Sequence, residues 1–208
     1  MKACFFGASV TRQADSYVHA LGNLMPGEAF AAFGHGGMQF IDAGICFLDE
    51  AVETDAETHF LDWFSATRAY DEAKLTACLD AVCHRLIARG RTPAFLLLPR
   101  RDINPLRVAN YATVRAYAQR YAMRVVDIDA LVRAEGVPLE KLLRDNVHTT
   151  RDGSEYYAAA IRDALCTPAP VPRQPPPNKY VRIESTALEK TVEQCLEIEV
   201  EDLSLIHI

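Results

Sequence analysis

The chain has 208 residues, a net charge of −6 and a pI near 5.5; half of it is apolar and 24% is charged. That balance fits a globular chain and excludes a disordered or fibrous one. Acidic charge without a Lys/Arg cluster argues against nucleic acid or an anionic membrane as partner, and no stretch reaches the ~20 apolar residues of a membrane span.

Residues 1 to about 167 alternate short apolar runs with longer amphipathic ones. ACFF (3–6) reads as a strand that stops at Gly7, followed by a helix-like stretch over 14–24. EAFAAF (28–33) is a second strand ending at Gly34, with a helix expected over 40–52. HFLDWF (59–64) is a third strand. In residues 71–89, Leu75, Leu79, Val82 and Leu86 recur at spacings of three and four, which predicts an amphipathic helix ended by Gly90. AFLLL (94–98) before Pro99 is a continuous apolar run, the mark of a strand buried on both faces. Residues 107–122 are helical with Tyr111, Tyr117 and Tyr121, RVVDI (124–128) is a fifth strand, and 152–165 is a last helix. Asp127 and Asp129, two apart and read as extended, are taken to make no acid/base dyad.

Strands separated by helices imply an α/β fold: a five-stranded parallel sheet with right-handed crossovers in a three-layer α/β/α sandwich over residues 1–167. Residues 168–178 begin with PAPVPRQPPP, a composition that favours polyproline II and reads as a semi-rigid linker. In the tail, 179–208, Leu196, Ile198 and Val200 alternate with glutamates, so it reads as β-like and as the opening of a further domain. The six cysteines are scattered, without CxxC or zinc-finger spacing, and MKACFFGASV lacks the pattern of a signal peptide. Reduced thiols in a cytoplasmic protein with no metal and no cofactor are expected.

In such a sheet, ligands bind at the carboxyl ends of the strands. Three segments at that rim carry chemistry. Gly7-Ala8-Ser9-Val10-Thr11 can expose a serine hydroxyl on a tight strand-to-helix turn. Gly34-His35-Gly36-Gly37-Met38 can turn backbone N–H groups toward a cleft with no side chain in the way. In Asp145-Asn146-Val147-His148, a carboxylate three residues before a histidine can hold Nδ1–H and leave Nε2 as a general base. Taken singly, each is more often a turn, a cap or a surface loop. Taken together they supply nucleophile, oxyanion donors, base and orienter, the set that acyl transfer needs.

The blocks FFGASVT (5–11), FGHGGMQ (33–39) and DNVHTTRDGSEYYA (145–158) resemble those of the SGNH (GDSL-type) hydrolase superfamily. The resemblance implies a flavodoxin-like fold with Ser9 as nucleophile, His148 as base and Asp145 as its orienter. It further implies oxyanion donors from the backbone N–H groups of Ser9 and Gly37. Two positions depart from the pattern. Ala8 stands where the family usually has Asp, and FLDWFSAT (60–67) lacks the Asn that completes the family's oxyanion hole. Trp63 Nε1–H or the Ser65 hydroxyl could donate in its place. Arg100 and Arg101 could bind a substrate carboxylate or form a solvated pair facing Asp102, and His35 could line the cleft. His59 and His84 read as structural or exposed.

The expected function is therefore hydrolysis of acetyl or short acyl esters, on a small molecule or a glycan. The rivals are an O-acyltransferase using the same triad and a non-catalytic binding or scaffold module. A nucleotide-binding reading fails because Gly7-Ala8-Ser9 is no GxGxxG, and an α/β-hydrolase elbow would need Gly where Thr11 stands.

Overall fold

The computed structural model describes residues 1–34, 36, 48–62, 72–102 and 105–177. The strands are β1 (Ala3–Gly7), β2 (Phe30–Gly34), β3 (Thr58–Leu61), β4 (Thr92–Leu97) and β5 (Arg124–Asp127). They form one parallel sheet in the order β2-β1-β3-β4-β5. The helices among the described residues are α1 (Ser9–Arg12), α2 (Tyr17–Leu24), α3 (Leu48–Val52), α4 (Glu72–Ala88), α5 (Pro105–Arg120), α6 (Ile128–Glu135), α7 (Leu139–Leu142) and α8 (Arg151–Cys166). Of the helix expected over 40–52, only Leu48–Val52 falls within the described residues.

Alternate residues of each central strand face opposite layers, which is why the strands read as unbroken apolar runs. Cys4, Phe6, Leu61, Phe95 and Leu97 pack with residues of α3, α4 and α5. Ala3, Phe5, Phe60, Ala94, Leu96 and Val126 pack with residues of α2, α6 and α8. Phe5 anchors the second layer. Its ring stacks on Phe60 at 5.1 Å and 9° and meets Tyr17 edge-on at 5.6 Å.

The segment after β5 differs from the extended reading. β5 runs directly into α6, because the Asp127 carboxylate caps it by accepting the Ala130 N–H at 2.9 Å. Gly136, left-handed at φ 65°, ends the helix. Asp129 is thus helical and buried, paired with Arg133 one turn on at 3.0 Å. Local capping overrides a period-2 pattern only a few residues long.

The proline-rich segment from Pro168 lies against the α4/α5 layer. Arg173 N–H donates to Tyr121 C=O at 2.7 Å, and His84 Nδ1 meets Pro175 C=O at 2.8 Å. Pro175 is buried there. His59 is also structural. Its Nε2 bonds Ala51 C=O at 2.9 Å, and desolvation pushes its imidazole down to about 4, so it stays neutral at pH 7. The tail, 179–208, lies outside the described residues.

Removing the ring of Phe5 leaves a cavity between β1, β3 and α2. Phe5→Ala is expected to cost about 3–5 kcal/mol of unfolding free energy, read from the urea midpoint at unchanged slope.

Candidate active site

Two chain segments far apart in sequence converge on the carboxyl edge of the sheet. β1 ends at Gly7, and Ala8 (φ −102°, ψ −142°) turns the chain so that Ser9 opens α1. The other segment is the loop between α7 and α8. There Ser9 Oγ lies 2.9 Å from His148 Nε2, and His148 Nδ1 lies 2.8 Å from Asp145 Oδ2.

The acid end of this relay is held by its own loop. Asp145 Oδ1 accepts the backbone N–H of Val147 at 2.9 Å and of His148 at 2.8 Å. Partial desolvation would raise the carboxyl, but these two amides and the imidazole outweigh it and hold Asp145 down to about 2. An ionised carboxylate only accepts, so Nδ1 carries the proton and Nε2 presents its lone pair to the Ser9 hydroxyl. Serine, histidine and aspartate therefore stand in the order a general base needs to activate an alcohol.

The loop itself is closed by backbone pairing. Leu143 and Thr149 form an antiparallel bridge, Arg144 N–H donates to His148 C=O at 2.9 Å, and Thr150 N–H donates to Leu142 C=O at 2.9 Å. Thr150 caps α8 by accepting Gly153 N–H at 3.1 Å. Position 153 must be glycine, since a Cβ there would lie 1.9 Å from Leu142 O.

Three further residues brace this arrangement. Arg101 N–H donates to Asn146 C=O at 3.1 Å, and its guanidinium donates to Glu140 C=O at 3.3 Å and to Leu143 C=O. Gln13, just after α1, donates from Nε2 to Thr149 Oγ1 at 2.6 Å. Thr149 Oγ1 contacts Ser154 Oγ at 2.6 Å, which donates to Asp15 C=O at 2.6 Å. This chain of hydrogen bonds ties the segment after Ser9 to the residue after His148. The third brace is Asp62, directly after β3. It is 1% exposed, hydrogen-bonds Tyr17 Oη at 2.6 Å and Thr11 Oγ1, and faces the Ala8 N–H. Desolvation pushes its carboxyl up to about 6, against the pull of those hydrogen bonds. Asp62 falls inside the run HFLDWF that reads as a strand, and nothing local marks it as a contact of the Ser9 turn. Gln13 carries no signal either, and Arg101, placed by the sequence at the rim, binds backbone carbonyls set by the tertiary fold.

Gly7 makes room for this carboxyl, for a Cβ at position 7 would lie 1.8 Å from Thr11 Oγ1 and 2.0 Å from Asp62 Oδ1. Gly34 (φ 148°) lets β2 approach, since a Cβ there would meet Gly7 O at 1.7 Å. A Cβ on Gly36 would lie 3.9 Å from Ser9 Cβ, which puts Gly36 beside the Ser9 turn. His35, Gly37, Trp63 and Ser65 lie outside the described residues. Arg100 is at the rim but engaged. It is 8% exposed and grips Asp102 with two hydrogen bonds of 2.6 and 2.8 Å, so the pair is formed but is not the solvated one expected. Arg100, Asp102, Val132 and Arg133 line a cavity of about 430 Å³ beside it. Among the described residues, no group of His, Cys, Asp and Glu has the arrangement of a metal centre, and no helix is long and apolar enough to cross a membrane.

No family model and no curated protein matches the sequence. Solved structures do match. An acetyl xylan esterase superposes with a TM-score of 0.66 at 17% identity, covering 79% of this chain and 99% of its own. A member of the lipolytic protein G-D-S-L family from Veillonella parvula DSM 2008 gives 0.63 at 16%, covering 78% and 97%. A two-domain esterase active on acetylated mannans gives 0.61 at 13%, covering 83% of this chain and 52% of the esterase. The fold is thus that of the SGNH (GDSL-type) hydrolases, a three-layer α/β/α sandwich.

Truncating Arg101 removes the guanidinium bonds that hold the loop from beneath. Arg101→Ala is expected to speed hydrogen exchange at the His148 and Thr150 amides by roughly tenfold or more, while amides of β1 and β3 are unchanged.

Proposed function

We propose that this protein is a serine ester hydrolase. The observation that carries the reading is the continuous relay from Ser9 Oγ through His148 to Asp145, at 2.9 and 2.8 Å. Ser9 Oγ attacks the ester carbonyl as its proton passes to His148 Nε2. The tetrahedral oxyanion collapses to an acyl-enzyme, and the departing alkoxide takes the proton back from His148. Water, deprotonated by His148, then attacks the acyl carbon and frees Ser9. Asp145 keeps the imidazole oriented and stabilises the imidazolium that forms twice per cycle.

The oxyanion needs donors that are in place beforehand. The Ser9 N–H is one. Gly37 N–H, Trp63 Nε1–H and Ser65 Oγ are the proposed others, and Arg100 and His35 are the proposed contacts to the rest of the substrate. The substrate class is an acetyl or short acyl ester, on a small molecule or a glycan. Neighbours that act on acetylated xylan and mannan support that choice. The free thiols Cys4, Cys78, Cys83 and Cys166 fit a reducing compartment such as the cytoplasm.

Fluorophosphonate labelling with p-nitrophenyl acetate turnover tests the reading. Wild type should label at Ser9 and turn over the ester. Ser9→Ala should lose the label and at least about 10³-fold in kcat. A wild-type protein that neither labels nor turns over any short acyl ester ends the proposal, and acyl transfer to an added sugar in preference to water would reassign it as a transferase.

Asp145 supplies a pH prediction. Its carboxyl is held at about 2 in the folded chain against 3.8 ordinarily, so its stabilisation of the loop is complete above pH 4 and fades only as pH falls toward 2. Asp145 should then add no inflection to the acid limb of kcat/KM above about pH 4. Asp145→Asn should lower kcat by about 10⁴-fold.

A further inference from the structure

The nucleophile turn rests on a closed triangle of oxygens. Asp62 Oδ2, Thr11 Oγ1 and Tyr17 Oη all touch one another: Tyr17 to Asp62 at 2.6 Å, Thr11 to Tyr17 at 2.9 Å, and Thr11 to Asp62. All three residues are buried. Each contact between two oxygens needs one hydrogen. Thr11 and Tyr17 bring one each. With Asp62 ionised, two hydrogens serve three contacts, and one pair of oxygens faces across its edge with nothing between. With Asp62 protonated, three hydrogens serve three contacts, and a ring closes in which each group donates once and accepts once.

The triangle also grips the turn at both ends. Ala8 N–H faces the same carboxyl, Thr11 is one of its corners, and Ser9 lies between them in the chain. Gly7 is the floor, since any side chain there would occupy the space of Asp62 and Thr11.

We propose that Asp62 is a positioning residue, that its neutral acid closes a three-proton ring with Thr11 and Tyr17 which sets the Ser9 turn, and that release of its proton to solvent opens the ring. The inference rests on the reading of Ser9 as nucleophile. Burial supports it by pushing the carboxyl up to about 6. Two phenols stand on the side of α2 and α8. Tyr17 comes from α2, and Tyr157 of α8 lies behind it at 6.3 Å between ring centroids. Both are raised above the ordinary phenol range by desolvation first, so they keep their protons while Asp62 titrates. Opening the ring puts a negative charge beneath the turn whose N–H must stabilise an oxyanion, so the ionised form is the slower one.

Asp62→Asn is the informative variant. Its amide supplies two hydrogens and cannot ionise, so it keeps the triangle occupied at every pH. Three readouts decide. In infrared spectra of wild type, a protonated carboxyl band should fade as pH rises through about 6 and be missing from Asp62→Asn. The ratio of Asp62→Asn to wild-type kcat should rise about tenfold or more between about pH 5 and about pH 8. The sign for stability is that of a carboxyl raised in the fold: its contribution is complete below 3.8 and lost as pH passes about 6, so the Tm of Asp62→Asn should gain on wild type across that window. Tyr17→Phe keeps the acid but removes one corner, and should move the frequency of the same band.

If that band is missing from wild type at about pH 5, or if Asp62→Asn loses kcat by one constant factor at every pH, Asp62 is an ionised anchor and the proposal falls. A band that titrates while the kcat ratio stays flat removes the ring from catalysis and also overturns it. Should Ser9 prove unreactive, it is the hydrolase reading that fails, and the infrared and Tm titrations still decide the protonation of Asp62.

Discussion

A proton can pass between Ser9 and His148 only while two groups 139 positions apart in the chain stay within 2.9 Å. Neither residue can arrange this locally. A parallel sheet can, because every strand ends on the same edge and each crossover returns the chain to that edge. β1 delivers the hydroxyl and the loop before α8 delivers the imidazole. The two helices that follow them, α2 and α8, pack side by side with Tyr17 against Tyr157. The site is therefore only as precise as the sheet register and that one helix pair.

Precision beyond register comes from further hydrogen bonds. Gln13, Thr149, Ser154 and the Asp15 carbonyl link the segment after Ser9 to the segment after His148. Arg101 ties the end of β4 to the same loop. In acyl-transfer chemistry a misplacement on the order of 1 Å costs about 10²-fold, so under the proposed function this bracing would matter as much as the three residues themselves. Glycine serves the same end by omission. Gly7, Gly34 and Gly153 stand where backbone or a buried carboxyl occupies the space of a Cβ.

The two carboxylates near the site show how environment divides one chemistry into two roles. Asp145 is half exposed and receives two backbone N–H groups and an imidazole, so it stays ionised and holds His148 in place. Asp62 is sealed under the turn among hydroxyls, and burial favours its neutral form. Ala8 leaves the nucleophile block without a carboxylate of its own, and Asp62 reaches the same turn from the neighbouring strand.

By itself the sequence determined the five apolar runs, the alternation of strand and helix, and the two rim segments that carry Ser9 and Asp145–His148. Those features are local, carried by apolar periodicity, glycine punctuation and a carboxylate three residues from a histidine, and local physics writes them directly into the chain. What followed β5 was misread, because Asp127 capping α6 depends on a side chain choosing backbone over solvent, and alternation over a few residues does not report that choice. Gln13, Arg101 and the Asp62–Thr11–Tyr17 triangle were decided by the tertiary structure alone. Their partners come from other elements, and no spacing along the chain encodes a contact that exists only after the sheet has brought its loops to one edge.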